Sequence, residues 1–161
     1  MNTEENYIRI DQLAKDGFVD KAFGELTDFL AKAPNHALAN NLIGWIYETR
    51  LSDFETAMKY YGIAMESAPG NPAVYYNPAI LLSTLERFDE LDNLLRKAIK
   101  VPGVNKSTLH NEWGIMFELL GEYEEAVKSY RNAVRQSTDS KSVQGYMEAI
   151  DRCHEKQNMD R

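Results

Sequence analysis

Apolar residues recur along this chain at helical spacing. Leu42, Ile43, Ile46 and Tyr47 fall at i, i+1, i+4 and i+5. Phe54, Ala57, Met58, Tyr61, Ala64 and Met65 continue the pattern as a second amphipathic stretch. Between them lies Arg50-Leu51-Ser52-Asp53, a short break whose aspartate is placed to cap the next helix. Trp113, Ile115, Met116 and Phe117 repeat the first half of this grammar. After Leu120-Gly121-Glu122, the residues Tyr123, Ala126, Val127, Tyr130, Ala133 and Val134 repeat the second half. Gly121 stands where a helix end calls for positive φ. No window sustains period-two alternation, so the pattern predicts an all-α chain of paired antiparallel helices.

The pattern also repeats at long range. Pro34, Pro69 and Pro102 stand 35 and 33 residues apart. Ala22, Ala57 and Ala126 share one phase, with Leu91 in the intermediate place, and Phe29, Ala64, Ala98 and Ala133 share a second. The period is 34 to 35 residues, which divides the chain at about 3–36, 37–71, 72–106 and 107–140. Val143, Tyr146, Met147 and Ile150 then mark one face of a closing helix at about 142–156, with Glu148, Asp151, Arg152, Glu155 and Lys156 as its polar side. A single domain spanning 1–161 is expected at this length.

The residues Trp113-Gly114-x₂-Phe117, Gly121-x-Tyr123-x₂-Ala126-x₃-Tyr130 and Ala133 in the last repeat resemble the tetratricopeptide repeat. The second repeat resembles it through Gly44, Tyr47, Ala57, Tyr61, Ala64 and Pro69, with one extra residue in its turn. The third carries Leu91 where the pattern wants a small residue, and the first has Ile10 and Phe29 in such places. The resemblance implies a right-handed α-solenoid with a C-terminal capping helix, in which no pair buries its apolar faces alone. Gly44, Ala79 and Gly114 are expected to face Ala57 and Ala126, letting backbones approach. Tyr61, Leu95 and Tyr130 are expected to fill the space towards the next pair.

Charge narrows the function classes. A net charge of −7 and a pI near 5.0 disfavour nucleic acid and anionic membranes as partners. One cysteine, Cys153, excludes an internal disulfide framework. With a polar N-terminus and no long apolar run, a soluble cytoplasmic protein is expected. The three histidines are scattered, with no metal-binding spacing, and His110 reads as structural. Cys153 and His154 point about 100° apart on a helix, which argues against an activated thiol. Glu124-Glu125 complements a helix dipole rather than forming a catalytic dyad. With no catalytic constellation and no cofactor motif, an enzyme is not expected. Pro78 is the local anomaly: either its helix distorts there, or it begins late with Asn77 as cap.

The resemblance implies a concave groove lined by the first helix of each repeat. Carried over by position, the groove residues are Tyr7, Asp11, Asn41, Trp45, Glu48, Tyr76, Ile80, Asn111, Ile115 and Glu118. Its charged positions, Glu4, Asp11, Glu48 and Glu118 against Lys15, sum to −3. The implied function is a protein-interaction scaffold that takes an apolar or aromatic segment with basic flanks. A self-assembling structural module is the alternative, and an RNA-binding helical repeat a weaker one. Family members that hold chaperone tails do so with Lys, Asn, Asn, Lys and Arg. The corresponding places here are Asn41, Trp45, Asn77, Thr108 and Glu112, so that ligand is not expected.

Overall fold

A computed structural model describes residues 2–159 of the chain. Its helices are α1 (Thr3–Lys15), α2 (Val19–Lys32), α3 (Ala37–Arg50), α4 (Phe54–Ser67), α5 (Ala73–Thr84), α6 (Phe88–Ala98), α7 (Lys106–Leu119), α8 (Tyr123–Gln136) and α9 (Ser140–Met159). There is no strand among the described residues, and no helix there is long and apolar enough to cross a membrane. The chain divides into two compact units, Met1–Pro78 and Ala79–Arg161, with the boundary inside α5.

Local chemistry sets the helix ends. Asn2 and Glu5 form a reciprocal capping box on α1, with N···O distances of 2.8 and 2.9 Å. Asp53 caps α4 by accepting from Thr56 N at 3.1 Å, and Asn105 caps α7 by accepting from Thr108 N at 3.3 Å. Each of the four turns inside a pair contains one residue at positive φ: Gly17, Ser52, Glu86 and Gly121, at 90°, 52°, 55° and 76°. Glycine carries that conformation freely, whereas Ser52 and Glu86 adopt it against the steric cost of a Cβ. Pro78 lies inside α5, which runs on from Ala73, so the late start is excluded. The ring is fully buried, and Val74 loses the backbone donor it would otherwise have at position 78.

In the first unit, α1, α2 and α3 share a core of Tyr7, Ile10, Ala14, Val19, Ala22, Leu26, Phe29, Ala39, Ile43 and Ile46. In the second unit, Ala126, Val127 and Tyr130 of α8 meet Ala149, Ile150 and Cys153 of α9. Cys153 is fully buried, and burial pushes its thiol up to about 11, which leaves it unreactive.

The glycines work differently from the expectation. A Cβ on Gly44 would lie 2.8 Å from the Tyr61 ring and 3.2 Å from the Ala57 carbonyl oxygen. On Gly114 it would lie 2.5 Å from the Tyr130 ring. These glycines make room for a tyrosine of their own pair, and at Gly44 the Ala57 carbonyl is the secondary contact. The tyrosines therefore fill space within the pair, rather than only towards the next.

The contrast between glycines gives a stability prediction. Gly114→Ala should overpack the α7–α8 contact and lower stability by about 1–3 kcal/mol. Gly24→Ala, on α2 with open space around its Cβ position, should raise stability by about 0.5–1 kcal/mol. Thermal unfolding followed by circular dichroism checks both signs; equal shifts would show that the Tyr130 contact is not the constraint.

Candidate functional site

A cleft of about 480 Å³ opens in the first unit, lined by Tyr7, Asp11, Ala14 and Lys15 of α1, Asn41, Leu42 and Trp45 of α3, and Asn77 of α5. Tyr7, Asp11, Asn41 and Trp45, four of the residues expected along the groove, are thus brought together, whereas Glu48 is not among the lining residues. Asn77 takes the place expected of Tyr76. Counted from its helix start, Asn77 is the fifth residue of α5, as Asn41 is of α3. Counting from the helix start rather than from the repeat boundary at residue 72 would have selected it. Tyr76 is half-buried, and Ile80 is 45% exposed.

The cleft walls are fixed from behind. The Tyr7 ring packs against His36 and Phe29, with centroids 4.9 and 6.4 Å away. Burial, with Asp11 and Glu4 nearby, raises the Tyr7 phenol well above its usual range, so it stays a neutral donor. His36 in turn caps α3 by accepting from Ala39 N at 3.2 Å. Sequence reading passed over this histidine because a lone His before a helix carries no metal or catalytic pattern. Trp45 is half-buried against the core, and its remaining surface lines the cleft. Asp11 and Lys15 neutralise one another one turn apart on α1.

Asn41 is the polar exception. Its Oδ1 is buried, and no hydrogen-bond partner for it exists among the described residues. A buried acceptor left unpaired costs about 1–3 kcal/mol. A donor reaching that oxygen would offset the cost.

The second unit uses its expected groove residues internally. The Asn111 side chain is hydrogen-bonded to the buried Glu112 carboxylate, which Ser83 also contacts. Ile115 is half-buried and packs against the α8–α9 cluster. Glu118 needs the largest correction. It is 9% exposed, and its oxygens accept from Arg152 Nε and Nη2 at 2.7 and 2.8 Å, Lys156 Nζ at 2.8 Å and Tyr130 Oη at 2.9 Å. It is a clamp that ties α7 and α8 to α9. A count of positions along the repeat could not show this, because the cations come from the closing helix.

The geometry of the fourth pair carries the family assignment. A family model described as tetratricopeptide repeat matches residues 113–143. Those residues form a tetratricopeptide repeat. The solved structure of MamA MSR-1 is 23% identical, over 84% of this chain and 77% of its own, with a TM-score of 0.68. That of pilF from Pseudomonas aeruginosa is 15% identical, over 94% of this chain and 76% of its own, with a TM-score of 0.77. A MamA RS-1 double mutant is 11% identical, over 98% and 97%, with a TM-score of 0.70. No curated protein matches. At these identities the likeness concerns the fold, and that fold is the tetratricopeptide type of helical solenoid.

The clamp makes a pH prediction. Arg152 first, then Lys156 and Tyr130, hold the Glu118 carboxyl at about 2, below its ordinary 4.5. A depressed carboxyl stabilises the fold above its unfolded value and loses that contribution as pH falls towards its folded value. The loss should run from about pH 4.5 to pH 2 and amount to about 3 kcal/mol. Melting curves of the unaltered chain and Glu118→Gln should converge across that window. A gap that is constant from pH 6 to pH 2 would contradict the clamp.

Proposed function

We propose that the chain is a non-catalytic interaction scaffold that takes a peptide segment of a partner protein against the α1–α3 face of its first unit. The observation that carries this reading is the buried, unpartnered Oδ1 of Asn41 on the wall of a cleft that also exposes part of Trp45. An extended segment brings backbone N–H groups, and one of them satisfies the Asn41 acceptor. The indole, with the Tyr7 ring beside it, supplies apolar surface for a side chain of the segment. A helical-repeat fold of this type is suited to the task, because stacked pairs present one helix of each repeat side by side. Its single cysteine, buried and unreactive, fits a reducing, cytoplasmic setting.

Charge on this face is smaller than the sequence count. Glu118 is consumed by α9, and Glu4, Asp11 and Glu48 against Lys15 leave −2. A segment with one basic residue beside an apolar one suits such a face better than a polybasic one.

The test separates binding from folding. Full-length protein is screened against a displayed random-peptide library, and the selected peptide is titrated by calorimetry. Asn41→Leu removes the acceptor without removing bulk. It should weaken binding tenfold or more, about 1.4 kcal/mol, while leaving the melting temperature equal or higher, since a buried unpaired group is lost. Unchanged affinity, or no peptide selected, would refute the cleft as the site.

A further inference from the structure

The chain contains two copies of one polar device. In the second unit, Gly114 admits the Tyr130 ring, and the tyrosine hydroxyl donates to Glu118, one turn further along α7. In the first unit, Gly44 admits the Tyr61 ring, and that hydroxyl donates to Glu48 Oε2 at 2.5 Å, one turn further along α3. Glycine and glutamate are four residues apart in both copies.

The two copies differ in what meets the carboxylate. Glu118 receives a side-on, bidentate guanidinium from Arg152 and an ammonium from Lys156. Glu48 is half-buried and has the Tyr61 hydroxyl, with no basic side chain within ion-pair distance among the described residues. Of the four carboxylates counted along the groove, Glu4, Asp11 and Glu118 each face a side-chain nitrogen of this chain, and Glu48 does not.

We infer that Glu48, one turn beyond Trp45 on α3 and outside the residues that line the cleft, is an arginine-reading subsite at its end, an open copy of the Glu118–Arg152 clamp whose guanidinium comes from the bound partner. This rests on the cleft reading above and adds to it one residue type and its position. Asn41, Trp45 and Glu48 occupy successive turns of one face of α3, at spacings of four and three. The span from Asn41 to Glu48 is about 10 Å, the length of about three extended residues. The arginine therefore stands one or two residues from the apolar residue that meets Trp45. Tyr61 fixes one carboxylate oxygen, which leaves the other edge preorganised for a planar fork. Lysine, a point charge, gains less from that edge than arginine. Partial burial strengthens the pair relative to one in open solvent.

The test uses an array of acetylated nonapeptide amides with an Ala/Ser background. Each carries one Leu, Phe or Trp, with Arg, Lys, citrulline or Glu one or two positions away on either side. Full-length protein should retain arginine peptides at least tenfold better than citrulline ones and several-fold better than lysine ones. In Glu48→Gln, which keeps an acceptor for Tyr61, the arginine preference should collapse to within about twofold. Because the citrulline exchange is made in the peptide, the unaltered chain tests the inference even if that variant fails to fold. Arginine and citrulline peptides retained equally, with retention lost in Asn41→Leu, would overturn the subsite and leave the cleft standing. An arginine preference that survives Glu48→Gln would overturn the assignment to Glu48. Retention of no peptide would overturn both readings.

Discussion

Both units depend on a tyrosine ring lying against a helix that has no side chain at that point. A Cβ at Gly44 or Gly114 would sit 2.8 or 2.5 Å from the ring, closer than packed atoms approach. The glycine therefore sets how near the two helices of a pair come, and the ring fills the room it leaves. Tyr61 and Tyr130 are each 0–1% exposed, so their hydroxyls need partners. In each unit the acceptor is a glutamate one turn beyond the glycine. The packing constraint thus also delivers a polar consequence: each glycine–tyrosine pair presents one oriented carboxylate at the edge of its helix.

The role of that carboxylate is set by the neighbouring helix. Beside Glu118, α9 supplies Arg152 and Lys156 together with the apolar face of Ala149, Ile150 and Cys153. The closing helix is longer than the others, at 20 residues, and its extra turns carry Lys156 and Gln157, which reach Glu118 and Glu124. A buried carboxylate with a bidentate guanidinium specifies which face of α9 turns inward, a task that apolar contacts perform less selectively. Beside Glu48 no such helix end supplies a cation, and the same chemistry is left facing solvent and any ligand that binds there.

Much of the fold was legible because its signals are local. The Asp53 cap, the positive φ at Gly121 and the amphipathic face around Ile150 each arise from residues within a turn or two of one another, and the period is the recurrence of such local signals. The cleft was half legible. Position within the repeat found Tyr7, Asp11, Asn41 and Trp45, but it gave Ile115 and Glu118 the same standing, although their neighbours in space come from α8 and α9. Repeat logic treats all copies as equivalent, and a closing helix breaks that equivalence for the copy beside it. Asn77 was missed by one position, because α5 begins one residue after the repeat boundary at 72, whereas α3 begins at its boundary at 37.

The remaining tension lies at Trp45. An indole that lines a cleft gains affinity from the area it exposes, and one that packs on a core gains stability from the area it buries. Trp45 divides its surface between the two, and Tyr7 does the same with His36 and Phe29 at its back. Such residues cannot be exchanged to retune the ligand without disturbing the core. Asn41 carries no such double duty: it lies outside the core cluster and the chain leaves its Oδ1 unpaired, whereas Glu48 holds the Tyr61 hydroxyl with one oxygen. On the proposed reading, the apolar part of recognition is tied to the fold, while the polar part is less so. It is at those two positions of α3 that differences in ligand choice between similar helical repeats should concentrate.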